Sequence, residues 1–413
     1  MAVAQEYQVY NVSDSTPSVA ETVVACGPNG AVLVAWEESP GEIWTRVLAG
    51  SWGESIHHGP GREPSVCFSA GEFALAYTAG SSLVVRHGDG HSWNPAQAIV
   101  GGGRPVSHPD LSAAPAGAAA QAYVVWQEEE TEVWFSQRAG GVWGAAQQVV
   151  VAAPFVGEAM PQVAPAYAGG QVVPRVYYYD ALAQIRYRQR AAGQWGEPVE
   201  VPGRNFAVEM SVAASPSLRH HILSLGPPPS CPCNHLNYVE ELPGGHWAVV
   251  ERLDVLIDFY NRPQYPQIAL DEEARPRIFW YQDMHDGELQ PTGDAMFYRV
   301  RENGTWTDHT EILGGRIGTY NGLAIDPQGR PVFAWVEETG GTRDAMMCRY
   351  VTSAGVAGAT AGKALRLAAG PSPARGGLLF ALELPEPAAA RVEVFDASGR
   401  CVERILLGSL PAG

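Results

Sequence analysis

The stretch RVLAGSWGES, Arg46–Ser55, returns as RAGGVWGAA at 138–146 and as RAAGQWGEP at 190–198. A Gly-plus-Trp turn of this kind occurs at Trp52, Trp93, Trp143, Trp195, Trp247 and Trp306, with spacings of 41, 50, 52, 52 and 59 residues. An apolar strand precedes each turn, usually ending in an aromatic, as in AVLVAWEE, FALAYTA, AYVVWQEE and PRIFWYQD; the fifth unit has HHILSLG and lacks the aromatic. Openers such as EPSVC, HPDLS, MPQVA and YPQIA begin the units near residues 16, 63, 108, 160, 209, 265 and 320. Opener, apolar strand, alternating strand such as IRYRQR, and the segment after the turn make four short strands per 40–60 residues, the period of a propeller blade.

The seventh unit has its opener, PVFAWVEE and AMMCRYV but no Gly-x-Trp turn, whereas EYQVYNVSDS stands before the first opener. The N-terminal strand is therefore expected to complete the last blade and close the ring. The tryptophans are expected to pack between blades. The fold class is all-β: a seven-bladed β-propeller over 1–355, followed past the small-residue run VAGATAGKA by a separate C-terminal segment, 356–413 in all, with three alternating strand candidates.

Composition agrees with many short strands, with 46 Gly, 32 Pro and only 17% charged residues. A formal charge of −17 argues against a nucleic-acid partner or an anionic membrane surface. Lys363 is the one lysine beside the arginines, a composition bias without functional weight. No stretch reaches the roughly 18 apolar residues of a membrane span, and MAVAQEYQVYNVSD lacks the regions of a signal peptide. The expectation is a soluble monomer with no cofactor and no membrane insertion, whose natural N-terminus has been trimmed. The six cysteines form no regular framework.

Two resemblances extend this reading. The blades resemble sialidase-like, BNR-repeat propellers, whose repeat carries a Ser-x-Asp-x-Gly-x-Thr-Trp turn. RHGDGHSW (86–93) is the nearest approach, with Asp89 one place out of register, and GGRIG (314–318) stands in the wrong blade for the early Arg-Ile-Pro motif of sialidases. The resemblance thus implies the architecture more than the activity. The C-terminal segment, with Pro371, Pro373, FALELPEPAAARVEVFDASGR (380–400) and LGSLPAG (407–413), resembles modules of flagellar hook-capping proteins and type IX secretion sorting domains. That resemblance implies a partial immunoglobulin-like β-sandwich over 356–413, a module cut short, in a secreted or bacterial outer-surface protein.

Function in propellers gathers on the face bearing the inter-blade loops. The opener positions Ser18, Ser65, Asp110, Gln162, Ser211, Gln267 and Gly322 are expected to ring the channel mouth. Arg62, Arg104, Arg204, Arg262 and Arg316 fall in inter-blade loops and, with Tyr320, form a candidate ligand-binding set, since converging guanidinium groups suit acidic sugars or other anions. Solvated arginines paired with local carboxylates such as Glu63 are the alternative. Asp110 with Asp283 or Asp286 could supply acid and base for a glycosidase, which needs two carboxylates across one bond. Cys231, Cys233 and His235 could meet a metal, although no fourth ligand is evident. The functional expectation is a non-catalytic propeller that binds a glycan or a surface protein, the alternative being a glycoside hydrolase or lyase.

Overall fold

The computed structural model describes residues 6–13, 18–115, 118–129, 132–150, 159–168, 170–180, 182–202, 209–226, 235–253, 262–283, 295–312, 318–339, 341–351, 366–369, 380–383, 388–395 and 401–410. The chain separates into two compact units, Val12–Met347, and Met1–Asn11 together with Cys348–Gly413. Seven antiparallel sheets form the blades of a β-propeller. Their inner strands are Val19–Cys26, Arg62–Ser69, Val106–Ala113, Gln162–Ala168, Glu209–Ala214, Arg262–Leu270 and Gly318–Ile325. In blade three, for example, Val106–Ala113 pairs with Ala122–Glu128, that strand with Glu132–Ala139, and the last with both Val142–Trp143 and Gln147–Val150.

The repeated turn has a residue-level cause. Gly50, Gly141, Gly193, Gly245 and Gly304, each two residues before its tryptophan, have φ of 81°, 84°, 84°, 80° and 80°. Side-chain-bearing residues adopt that region at a cost, so glycine recurs there. The turn swings the tryptophan back against the third strand, as in the Arg138↔Trp143, Arg190↔Trp195 and Arg301↔Trp306 pairs. In blades two, four and six the ring then packs on the preceding blade: Trp93 on His58 at 5.0 Å, Trp195 on Phe135 at 5.1 Å, Trp306 on Tyr238 at 5.0 Å between ring centroids. Trp143 adds a hydrogen bond, its Nε1 donating to His87 Nε2 at 2.8 Å. His87 is therefore a neutral acceptor there, and burial with Arg138 nearby pushes its pKa down to about 4.

Blade five lacks the strand-two aromatic, and buried polar groups fasten it instead. Glu241 Oε2 accepts from Arg175 Nη1 of blade four at 2.9 Å and lies 2.7 Å from His220 Nδ1. His220 Nε2 is 2.8 Å from the Pro165 carbonyl, which can only accept, so that nitrogen carries a hydrogen. Burial alone would raise Glu241; His220 and Arg175 bring it down to about 2. On the other flank Arg301 of blade six meets Glu240 at 2.7 Å.

The last blade has the order Glu6–Asn11, Thr342–Val351, Pro331–Thr339, Gly318–Ile325, so the N-terminal strand supplies its outer strand. Val12 N donates to Ala345 O at 2.8 Å and Ala345 N to Ser13 Oγ at 3.1 Å, continuing the pairing. Where blade seven meets blade one the backbones pack closely: a Cβ on Gly322 would sit 3.3 Å from Val24 N. Beyond residue 351 the described residues form two hairpin pairs, Arg366–Ala369 with Phe380–Glu383 and Ala388–Phe395 with Cys401–Leu410.

Candidate functional site

The inner strands carry a regular irregularity. Glu63, His108, Met160, Tyr265 and Tyr320, each at the start of an opener, have φ of 52°, 49°, 41°, 50° and 52°. In four of these blades the pairing slips at that point, between Arg62 and Ser65, Ser107 and Asp110, Gln264 and Gln267, and Thr319 and Gly322. Such bulges take a residue out of the ladder. Its N–H then finds an acceptor on the preceding blade. Glu63 N donates to Glu37 Oε2 (3.0 Å), His108 N to Glu63 Oε2 (2.7 Å), Met160 N to Gln127 Oε1 (3.2 Å) and Tyr265 N to Glu209 Oε2 (2.6 Å). These residues, with Glu21 and Glu209 at the matching places, surround a cavity of about 500 Å³ lined by all seven inner strands.

One step farther along the strands, the expected polar ring forms with a different role. Ser65 Oγ accepts from Leu111 N (3.0 Å), Asp110 Oδ2 from Val163 N (2.7 Å), Gln162 Oε1 from Val212 N (2.9 Å) and Ser211 Oγ from Ile268 N (3.1 Å). Each clasps its blade to the next. Asp110 lines the cavity, yet one carboxylate oxygen is committed to this clasp. Blade one departs from expectation, since Val23 pairs with Ala35 as Ser65 does with Ala76. Ser18 lies five residues earlier, bridged to Arg343, and Glu21–Val24 line the cavity in its stead.

Electrostatically the cavity is unusual for a carboxylate-rich surface. Burial, reinforced by Glu63 and Glu37, raises Glu21 to about 8. Burial likewise raises Glu209 to about 7 and Asp110 to about 6, each partly offset by its backbone N–H bond. At neutral pH the cavity thus contains both protonated and ionised carboxyl groups, hence donors as well as acceptors. On one side the Tyr265 and Tyr320 rings pack at 4.8 Å with a 34° tilt, Tyr320 remaining 38% exposed. Behind them the Arg343 guanidinium lies 5.8 Å from the Tyr320 ring. At the other end of the inner strands, a separate cavity of about 340 Å³ is lined by Phe68, Leu270, Ile325 and Pro327 among others.

The residues singled out in the sequence separate accordingly. Tyr320 and Asp110 line the central cavity. Arg104 is occupied, its Nη1 donating to Glu129 at 2.9 Å and Glu132 at 3.3 Å. Arg62 begins the inner strand of blade two and is exposed. The strand positions of Arg262 and Asp283 are described and pair with one another, without their side chains. Arg204, Arg316, Asp286, Cys231 and Cys233 lie outside the described residues. His235 is buried, 3% exposed, in the third strand of blade five. Among the described residues no three His, Cys, Asp or Glu side chains are grouped to hold a metal. Sequence reasoning missed Glu21, His108, Glu209 and Tyr265. For His108 and Tyr265 the available signal was a residue immediately before the opener proline, as in HP and YP; Glu21 and Glu209, which precede Thr22 and Met210, carry no such signal.

No family model and no curated protein matches the chain. Among solved structures, the polysaccharide lyase Uly1 is similar with a TM-score of 0.50 and 10% identity, over 82% of this chain and 91% of its own. The SapL1 lectin in complex with alpha methyl fucoside is similar at 0.44 and 13% identity, over 72% and 97%. The NanB sialidase from Streptococcus pneumoniae is similar at 0.43 and 10% identity, over 85% and 71%. At these identities the likeness is one of fold, which does not transfer function.

Proposed function

We propose that this chain is a carbohydrate-binding propeller whose ligand enters the central cavity, without catalysis. The observation that carries the reading is the exposed Tyr320 ring packed on Tyr265 at the edge of a cavity of about 500 Å³ lined by carboxyl groups. A pyranose has an apolar C–H face that suits an aromatic ring and hydroxyl groups that suit mixed carboxyl donors and acceptors. The volume lies within the roughly 300–1,000 Å³ of small-ligand pockets. The carboxylates favour neutral or amino sugars over acidic ones in this cavity; the loop arginines remain the candidate contacts for an anionic extension. A secreted or outer-surface setting, as the C-terminal resemblance implies, belongs to the same proposal.

A specific observation supports the second reading, a glycoside hydrolase or lyase. Carboxyl groups that titrate near neutrality, as Glu21 and Glu209 do, can act as acid or base. Mass spectrometry of a pool of neutral, amino and acidic glycans, before and after incubation with the protein, separates the two. Retention without new masses is expected, together with loss of retention in Y320A. Cleavage products that vanish in E21Q or E209Q would replace the binding reading by the catalytic one.

A further inference from the structure

We infer that Glu209 is a positioning residue whose protonation state governs how firmly Tyr265 is held against Tyr320, and so sets the pH response of the cavity. The inference rests on the carbohydrate-binding reading only for its ligand half.

The geometry is that of a peptide gripped from both neighbouring blades. Tyr265 N donates to Glu209 Oε2 of blade five at 2.6 Å, and Tyr265 O accepts from Asn321 Nδ2 of blade seven at 3.4 Å. Between these grips Tyr265 sits at φ 50°, a region tyrosine adopts only when its surroundings enforce it. Its ring reaches the Tyr320 ring at 4.8 Å, and Tyr320, itself at φ 52°, is the exposed member of the pair. Loosening the grip on Tyr265 N frees the backbone to relax and moves the platform on which Tyr320 rests.

An ionised carboxylate is a stronger acceptor for that N–H than a neutral carboxyl group, because charge-assisted hydrogen bonds are shorter and about twice as strong. Among the described residues, the groups facing Glu209 supply no cation that would keep it ionised. Tyr179 of blade four and Tyr265 of blade six lie within its electrostatic reach. Around the cavity stand Glu21, Glu63, Asp110 and His108, and no Arg or Lys is among the described lining residues. Arg343 acts on Tyr265 and lies behind the Tyr320 ring. Burial therefore wins, and Glu209 changes charge at about pH 7. Glu63 binds His108 N by the same device.

The test needs no ligand. Tyrosines are replaced throughout by 3-fluorotyrosine, and the resonances of positions 265 and 320 are assigned among the 16 by Y265F and Y320F. The expected result is a ¹⁹F shift of both resonances with a midpoint near pH 7 in the parent protein, the same midpoint in E21Q, and flat profiles in E209Q. E209Q keeps the shape and an acceptor oxygen, so it isolates the charge from the fold. Resonances that do not move between pH 5.5 and 8.5, or that move equally in E209Q, would overturn the inference. Separately, a glycan retained by the parent protein should bind several-fold more weakly at pH 6 than at pH 8, with that difference reduced in E209Q. A titrating ¹⁹F signal with no glycan retained would leave the positioning role intact and refute the carbohydrate reading.

Discussion

A non-glycine residue at positive φ costs about 1–2 kcal/mol, and this ring holds five of them at one place in the fold. Acceptors from neighbouring blades make the conformation tolerable, and the same bonds that hold blade to blade aim the side chains at the cavity. Asp110 shows how one residue can face the cavity and fasten the scaffold at once. It lines the cavity, yet its Oδ2 holds Val163 N at 2.7 Å. Replacing it by Ala orphans that N–H and should cost about 1–3 kcal/mol in urea unfolding, whereas D110N, which keeps an acceptor, should cost well under that. Equal losses in both variants would show that the hydrogen bond to Val163 is not what Asp110 contributes to stability. The αL residues themselves were hard to read from sequence. Before a proline, Glu63, His108 or Tyr265 looks like an ordinary spacer, and only strand pairing reveals the bulge.

At the scale of elements, the blades were legible because glycine and tryptophan recur for physical reasons at fixed offsets. The Gly at φ near 80° and the ring it turns inward leave a trace in sequence that tertiary context does not erase. Blade one was misjudged by five residues because TPSVA imitates an opener, and register is set by pairing with Val32–Glu38 rather than by local pattern. Blade five is the instructive exception. Having no strand-two aromatic, it depends on Arg175, His220 and Glu241, all at most about 7% exposed. Removing one member leaves buried charge without its partner, so E241A should destabilise the propeller by about 3–5 kcal/mol. Circular dichroism melts check this; a loss no larger than that of an exposed pair such as Arg104–Glu129 would show that the network is not needed.

For the whole molecule, protonation couples the cavity to stability. Glu21, Glu209 and Asp110 have raised values in the folded state, so between the unfolded carboxyl range and about pH 6–8 the native protein binds protons that the unfolded chain does not. Their contribution is present in acid and is lost as pH rises through those values. His58, His87 and His221, pushed down to about 3, 4 and 4 chiefly by burial, act oppositely and are penalised as pH falls below about 6.5. Stability should therefore peak in mildly acidic solution. The E21Q/E209Q double variant should lose part of the fall in melting temperature between pH 6 and pH 8.5, and an unchanged slope would mean that these carboxyls do not titrate there. The central claim, a carbohydrate site in the cavity, is tested most directly by saturation-transfer difference NMR on a retained glycan with the parent protein, Y320A and R104A. Saturation of the sugar C–H protons that disappears in Y320A and persists in R104A is the expected result. Transfer that survives Y320A and disappears in R104A would place the ligand on the loop arginines instead and contradict the cavity as the site.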